Sequence, residues 1–325
     1  MLELKYVEAI NRALREEMER DARVCVLGED VAVGGVFGAT AGLRELFGDE
    51  RVRNTPISES AIVGLAIGAA VTGLRPVVEV MFMDFITQAL DQLVNHAAKL
   101  HFLSGGQLRV PMVLRTAAGA VEGAGAQHCQ SLESWLVHVP GLKVVAPADP
   151  ADAYGLLKAA IRDENPVVFI EFKQLYGMRG EVPAGEDVLP IGRALVRREG
   201  EDATVVAYGV AVWWAVAAAE RLEKEGIRVE VIDLRSLLPW DVETVVRSAE
   251  KTHRVVVAHE EVTRGGFGAE VAAVTQKEAF YELEAPVERV GAAFAPIPCA
   301  KGLMERVLPG VEAVAQAVRR VVAAT

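Results

Sequence analysis

Tyr6, Ile10, Leu14 and Met18 recur every four residues between charged positions, which predicts an apolar stripe along one side of an N-terminal helix. Arg23-Val-Cys-Val-Leu27 then reads as a buried strand, ended by Gly28-Glu-Asp30. The alternation continues with apolar strands at 76–82, 110–115, 142–146 and 166–170, and with helical patterns at 85–100 and 151–162. From 177 to 191 neither period holds and structure breakers accumulate, as in an interdomain linker. Beyond it lie strands at 203–208, 227–234, 254–259 and 287–290, separated by helices near 213–222, 242–250 and 267–279. Apolar strands alternating with helices imply an α/β fold of two doubly wound domains, 1–176 and 192–325. Ligands of such domains sit beyond the carboxyl ends of parallel strands. No short-period repeat or low-complexity tract competes with this organisation.

Composition narrows the class. A chain of 325 residues that is 51% hydrophobic and 24% charged has the material for two ordinary globular cores. Its formal charge of -11 argues against nucleic acid or anionic membranes as partners. Cys25, Cys129 and Cys299 have no metal-like spacing and are odd in number, so a reducing compartment without a disulfide framework is expected. The sequence shows neither a basic leader nor an apolar run long enough to cross a bilayer, and a cytoplasmic chain is expected.

Few residues are candidates for chemistry. Glu59, in Asn54-Thr-Pro-Ile-Ser-Glu-Ser-Ala-Ile-Val-Gly64, is a lone carboxylate leading into a helix of small and apolar residues. Burial there would make it hold its proton tightly and suit it to acid-base work on a cofactor ring. The competing reading makes Ser58 and Glu59 an ordinary helix cap and first-turn acid. His128 lies in a loop of small residues after the third strand, where parallel sheets present reactive groups. Neighbouring Cys129 has no cation in sequence to activate it as a nucleophile. Met81, Phe82 and Phe85 offer either a platform for a flat ring or core packing. Arg264-Gly-Gly-Phe-Gly268 opens a helix but matches no phosphate fingerprint.

Several ordered motifs together resemble the β subunit of the E1 component of thiamine-diphosphate-dependent 2-oxo acid dehydrogenases. They are Asn54-Thr-Pro-Ile-Ser-Glu-Ser60, Gly73-Leu-Arg-Pro-Val-Val-Glu79, Gln127-His-Cys-Gln-Ser-Leu132, Pro140-Gly-Leu-Lys-Val-Val145 and Ala160-Ile-Arg-Asp-Glu-Asn-Pro-Val-Val-Phe169. The resemblance spans nearly the whole chain. It implies a pyrimidine-binding domain followed by a transketolase C-terminal-like domain. It also implies an α subunit, in an α2β2 heterotetramer, that grips the cofactor's diphosphate through magnesium; in keeping with this, the chain contains no Gly-Asp-Gly. On this likeness Glu59 hydrogen-bonds N1′ of the aminopyrimidine, and Ile57, Met81 and Phe85 contact the same ring. His128 orients or protonates the lipoyl group of the acyltransferase partner, E2. A potassium loop maps onto Met112, Ala160, Ile161, Asp163 and Asn165, mostly through carbonyl oxygens suited to a hard cation.

Two departures are visible. The loop before His128 reads Val121-Glu-Gly-Ala-Gly-Ala, and its single histidine leans toward pyruvate or acetoin where branched-chain relatives show paired histidines. Ala295-Pro-Ile-Pro-Cys-Ala-Lys301 replaces the usual Pro-Val-Pro-Tyr type of segment. The expected activity is oxidative decarboxylation of a 2-oxo acid, pyruvate-like, with reductive acylation of lipoyl-E2. An acetoin dehydrogenase β subunit, a single-chain transketolase-like enzyme and a non-catalytic scaffold are the alternatives.

Overall fold

Tyr6, Ile10, Leu14 and Met18 are all buried along the helix Tyr6–Arg20, as their spacing predicts. The computed structural model describes residues 1–185 and 187–324 and divides the chain into two units. One comprises Met1–Ala118 with Trp135–Ile191, the other Gly119–Ser134 with Gly192–Thr325.

In the first unit the strands are β1 (Leu2–Lys5), β2 (Val24–Gly28), β3 (Val52–Asn54), β4 (Arg75–Phe82), β5 (Val113–Ala118), β6 (Lys143–Val145), β7 (Val167–Phe172) and β8 (Arg179–Val182). Strands β6-β7-β5-β4-β2-β3 lie side by side and pair in parallel. Their near-continuous apolar runs reflect burial on both faces. The helix Pro150–Arg162 starts where Asp149 Oδ1 accepts Asp152 N–H at 2.8 Å, with proline at its first position. It packs against the helix Tyr6–Arg20, whose buried Glu17 accepts from Arg162 Nη2 at 2.6 Å.

The structure differs from expectation in places. Strand β5 begins at Val113 because Pro111 cannot donate to a ladder and Met112 N–H turns back to Val110 O at 2.8 Å. The helical pattern at 85–100 is broken into short turns, among them a wide turn over Gln92–Ala97 closed by Ala98 N–H to Leu93 O at 3.0 Å. Within the expected linker, Arg179–Val182 forms β8 and pairs antiparallel with β1.

The second unit carries β9 (Leu195–Arg198), β10 (Ala203–Ala207), β11 (Val229–Asp233), β12 (Val255–Val262) and β13 (Glu288–Ala292). Their order is β13-β12-β10-β11-β9, parallel except for the edge strand β9. The last helix, Val311–Val322, buries Val314, Val318 and Val321, an apolar stripe outside the sequence expectations. His259 is fully buried on β12, and a Cβ on Gly268, Gly291 or Gly266 would stand 2.4, 2.8 or 3.1 Å from its ring. The glycine-rich stretch at 265–268 therefore makes room for an imidazole. No helix among the described residues is long and apolar enough to cross a membrane.

Candidate active site

Glu59 opens the helix Glu59–Val71 just beyond the carboxyl ends of β2 and β3. The approach to it is fixed by main-chain bonding: Thr55 N–H reaches Gly28 O at 2.9 Å, and Asn54 Oδ1 accepts Ala32 N–H at 2.7 Å. Glu59 is only 5% exposed, while Ser58 makes no side-chain capping bond. Ser58 therefore gives this helix no side-chain cap, and Glu59 stands in its first turn as a buried carboxylate.

A second carboxyl, which the sequence reasoning passed over, belongs to the same region. Burial first, then the charges of Glu59 and Asp30, push the Glu29 carboxyl above the usual range. Its signal was positional, since Glu29 directly follows β2 at the carboxyl end of the sheet.

Met81 and Phe85 are half-buried around the end of β4, whereas Ile57 is 81% exposed in this chain. Phe85 meets Phe82 edge-to-face at 5.7 Å, Phe82 meets Phe37 at 5.8 Å, and Phe37 stacks on Tyr176 at 4.5 Å. Phe82 thus does the packing of an aromatic row, and Met81 and Phe85 flank it.

The loop mapped for potassium is already engaged. Arg75 Nη1 donates to Ile161 O and to Asp163 O, each at 3.0 Å, and Arg75 Nη2 contacts Glu164. Ala160 O accepts Asp163 N–H at 3.3 Å, and Met112 O accepts Val167 N–H at 3.0 Å. The Asn165 amide groups donate to Asp163 Oδ1 at 2.9 and 2.8 Å, and Lys143 pairs with Oδ2. Burial opposes ionisation of Asp163, but Lys143 and Asn165 hold its carboxyl below the usual range. These oxygens suit a hard cation, yet a guanidinium already reaches two of them. No group of three or more His, Cys, Asp or Glu side chains among the described residues is placed to hold a metal.

His128 belongs to the second unit and is half-buried, its N–H bonded to Gly125 O at 3.2 Å. Buried Cys129 has its Sγ 3.5 Å from the main chain of Val121, a packing contact. A cavity of about 340 Å³ opens beside this loop, lined mainly by apolar groups such as Leu132, Phe294 and Ile297, with Glu260 and Glu261 in its wall.

Residues 3–179 match the family model described as the transketolase pyrimidine binding domain, and residues 192–314 match the transketolase C-terminal domain. The chain is 50% identical over 289 residues to 2-oxoisovalerate dehydrogenase subunit beta of Bacillus subtilis, covering 88% of each. It is 46% identical over 316 residues to the pyruvate dehydrogenase E1 component subunit beta of Rhizobium meliloti, covering 97% of this chain and 69% of that one. Among solved structures, a split-gene transketolase described as an inactive beta4 tetramer superposes with a TM-score of 0.81 at 28% identity, over 98% of both chains. With both halves matched in order and close identity along nearly its full length, the chain belongs to the family of E1 β subunits of 2-oxo acid dehydrogenases.

Proposed function

We propose that the chain is the β half of a thiamine-diphosphate-dependent E1 oxidoreductase, active only with an α-type partner that binds the diphosphate and magnesium. The observation that carries this reading is Glu59, a carboxylate 5% exposed, uncapped by Ser58 and set beyond the carboxyl ends of parallel strands. The residues present fit the pyrimidine half of that coenzyme: a shielded carboxylate stands in the same unit as the half-buried Met81 and Phe85. When bound, the coenzyme supplies the electron sink that decarboxylation of a 2-oxo acid requires. Glu59 holds or releases one proton at N1′ of the aminopyrimidine, and its burial keeps water from competing for that proton. Met81 and Phe85 give the ring an apolar, polarisable surface, and Ile57 completes it where the partner closes over this face. His128 orients the lipoyl dithiolane of the acyltransferase and moves a proton to it. At the 160–165 loop, Ala160, Ile161, Asp163 and Asn165, with Met112 beside them, would hold potassium, mostly through carbonyl oxygens suited to a hard cation.

Two substrate classes have support. The single histidine of the 121–132 loop favours pyruvate or acetoin, and the 50% identical Bacillus relative is named for a branched-chain acid. Co-expression with an adjoining α-type gene tests the main reading. Equal co-purification and thiamine-diphosphate-dependent release of carbon dioxide are expected, while full activity of the lone chain would overturn it. Turnover of pyruvate, 2-oxoisovalerate and acetoin by that assembly assigns the substrate.

A further inference from the structure

Both ends of the segment that carries His128 are anchored on two consecutive glutamates of β12. Glu260 Oε1 accepts Ala120 N–H at 2.7 Å, and Glu261 Oε1 accepts Ser134 N–H at 3.0 Å. The second oxygen of Glu261 accepts Phe267 N–H at 2.8 Å, which ties the anchor to the start of the next helix. Adjacent residues of a regular strand face opposite sides of a sheet. Here the pairing of β12 with β13 slips between Ala258 and Val262, and such an irregularity re-aims side chains. Both glutamates are 4% exposed or less, so these bonds to main-chain amides stand out of water's reach.

Sequence around the anchor is shaped to it. Gly119 has φ +83, and a Cβ there would come within 2.6 Å of Glu260 Oε2. Only glycine offers both the left-handed backbone and the space. Glu133, next to the Ser134 anchor, is fully buried, and neither of its carboxyl oxygens has a hydrogen-bond partner among the described residues. Burial, then the charge of Glu261, raises its pKa, so it resists ionising beside the clamp.

We propose that Glu260 and Glu261 are positioning residues that clamp the 120–134 loop at both ends and so hold His128 in place for the lipoyl half-reaction. The proposal rests on the reading of His128 given above, and it adds the machinery that acts through it. The clamp transmits no charge to the reacting atoms; it sets where the imidazole stands, and a misplacement of about 1 Å can cost roughly 100-fold in rate.

The test uses the assembly co-purified with its α-type partner and measures two rates, carbon dioxide release with an artificial electron acceptor and acylation of a lipoyl domain. In Glu260→Ala and Glu261→Ala the lipoyl rate is expected to fall about ten- to 100-fold while the artificial-acceptor rate stays within about three-fold. Glu260→Gln and Glu261→Gln keep an accepting oxygen and restore the lipoyl rate, whereas Glu260→Leu and Glu261→Leu, which fill the space without an acceptor, do not. Should the alanine variants fail to assemble, hydrogen exchange on the wild-type assembly decides: the Ala120 and Ser134 amides exchange at least about 100-fold more slowly than those of Glu122 and Gln127. Equal exchange at all four overturns the clamp, as does an intact lipoyl rate in the alanine variants when His128→Ala has lost it. If His128→Ala itself keeps the lipoyl rate, the assigned role of His128 fails, and the exchange comparison still judges the clamp separately.

Discussion

Arg115 Nε donates to Glu171 Oε1 at 2.7 Å in the interior of the first unit's sheet, where the arginine is 1% exposed. Its Nη2 reaches Glu171 Oε2 at 3.0 Å and its Nη1 reaches Glu79 Oε2 at 2.7 Å, so one cation joins β4, β5 and β7. Burial opposes the charge, but the two carboxylates outweigh it and hold Arg115 protonated. Arg115→Met strands two buried carboxylates and is expected to cost roughly 3–5 kcal/mol in urea unfolding. A loss under about 1 kcal/mol would show that the trio is not a stabilising unit.

Arg75 stands to the 160–165 loop as a fixed cation, through its bonds to Ile161 O and Asp163 O at 3.0 Å. Arg75→Met is expected to destabilise the chain by about 2–4 kcal/mol, because carbonyls and Glu164 lose their charged partner together. If potassium shares these oxygens, exchanging choline for potassium chloride at constant ionic strength raises the melting temperature of the variant more than that of the wild type. An equal response in both proteins would separate the loop from potassium binding.

The α/β alternation was legible because buried parallel strands leave continuous apolar runs, as in Val24–Gly28 and Val167–Phe172, and those runs do not depend on what packs above them. Tyr6–Arg20 was legible for the same reason, its stripe being spelled out by four large side chains. Contacts distant in sequence were not. Nothing local to Arg115 announces Glu79 and Glu171, which the sheet register brings beside it. The glycines at 266 and 268 matched no phosphate fingerprint, and their reason for being small is an imidazole on another element. Glu59 and His128 were found through motif order, but Glu29, whose carboxyl feels the charge of Glu59, was found only through the fold.

His259 makes stability depend on pH in a stated direction. Its ring is fully buried, with Nδ1 3.0 Å from Glu261 O, and burial lowers its pKa from 6.5 to about 4. The unfolded chain therefore binds a proton that the folded chain refuses, so the stability linked to His259 is complete above pH 6.5 and is lost as pH falls toward 4. The loss amounts to roughly 2–4 kcal/mol. Glu133 and Glu261, raised by burial, act in the opposite sense: their contribution is present at low pH and lost as pH rises. The difference between wild type and His259→Gln isolates the imidazole. Urea unfolding at pH 7, 5.5 and 4 is expected to show the gap between them narrowing or reversing on acidification, and a constant gap would remove His259 as the source.

Glu59→Gln separates proton chemistry from shape. The amide fills the same volume at the start of the helix Glu59–Val71 and keeps an accepting oxygen, but it cannot pass a proton to and from N1′. Assembly with the α-type partner and the melting temperature are expected to change little, because Ser58 and Glu59 contribute no side-chain cap that the substitution would break. Decarboxylation should fall by about 100- to 10,000-fold, with both the artificial-acceptor and the lipoyl rates affected equally, since the lost step precedes both. Proton exchange at C2 of the bound coenzyme, followed by NMR, gives the direct check: it slows with the overall rate if Glu59 drives it. Wild-type exchange in Glu59→Gln would move the acid-base role to another group, and Glu29, a carboxyl that feels the charge of Glu59, would be the next residue to replace.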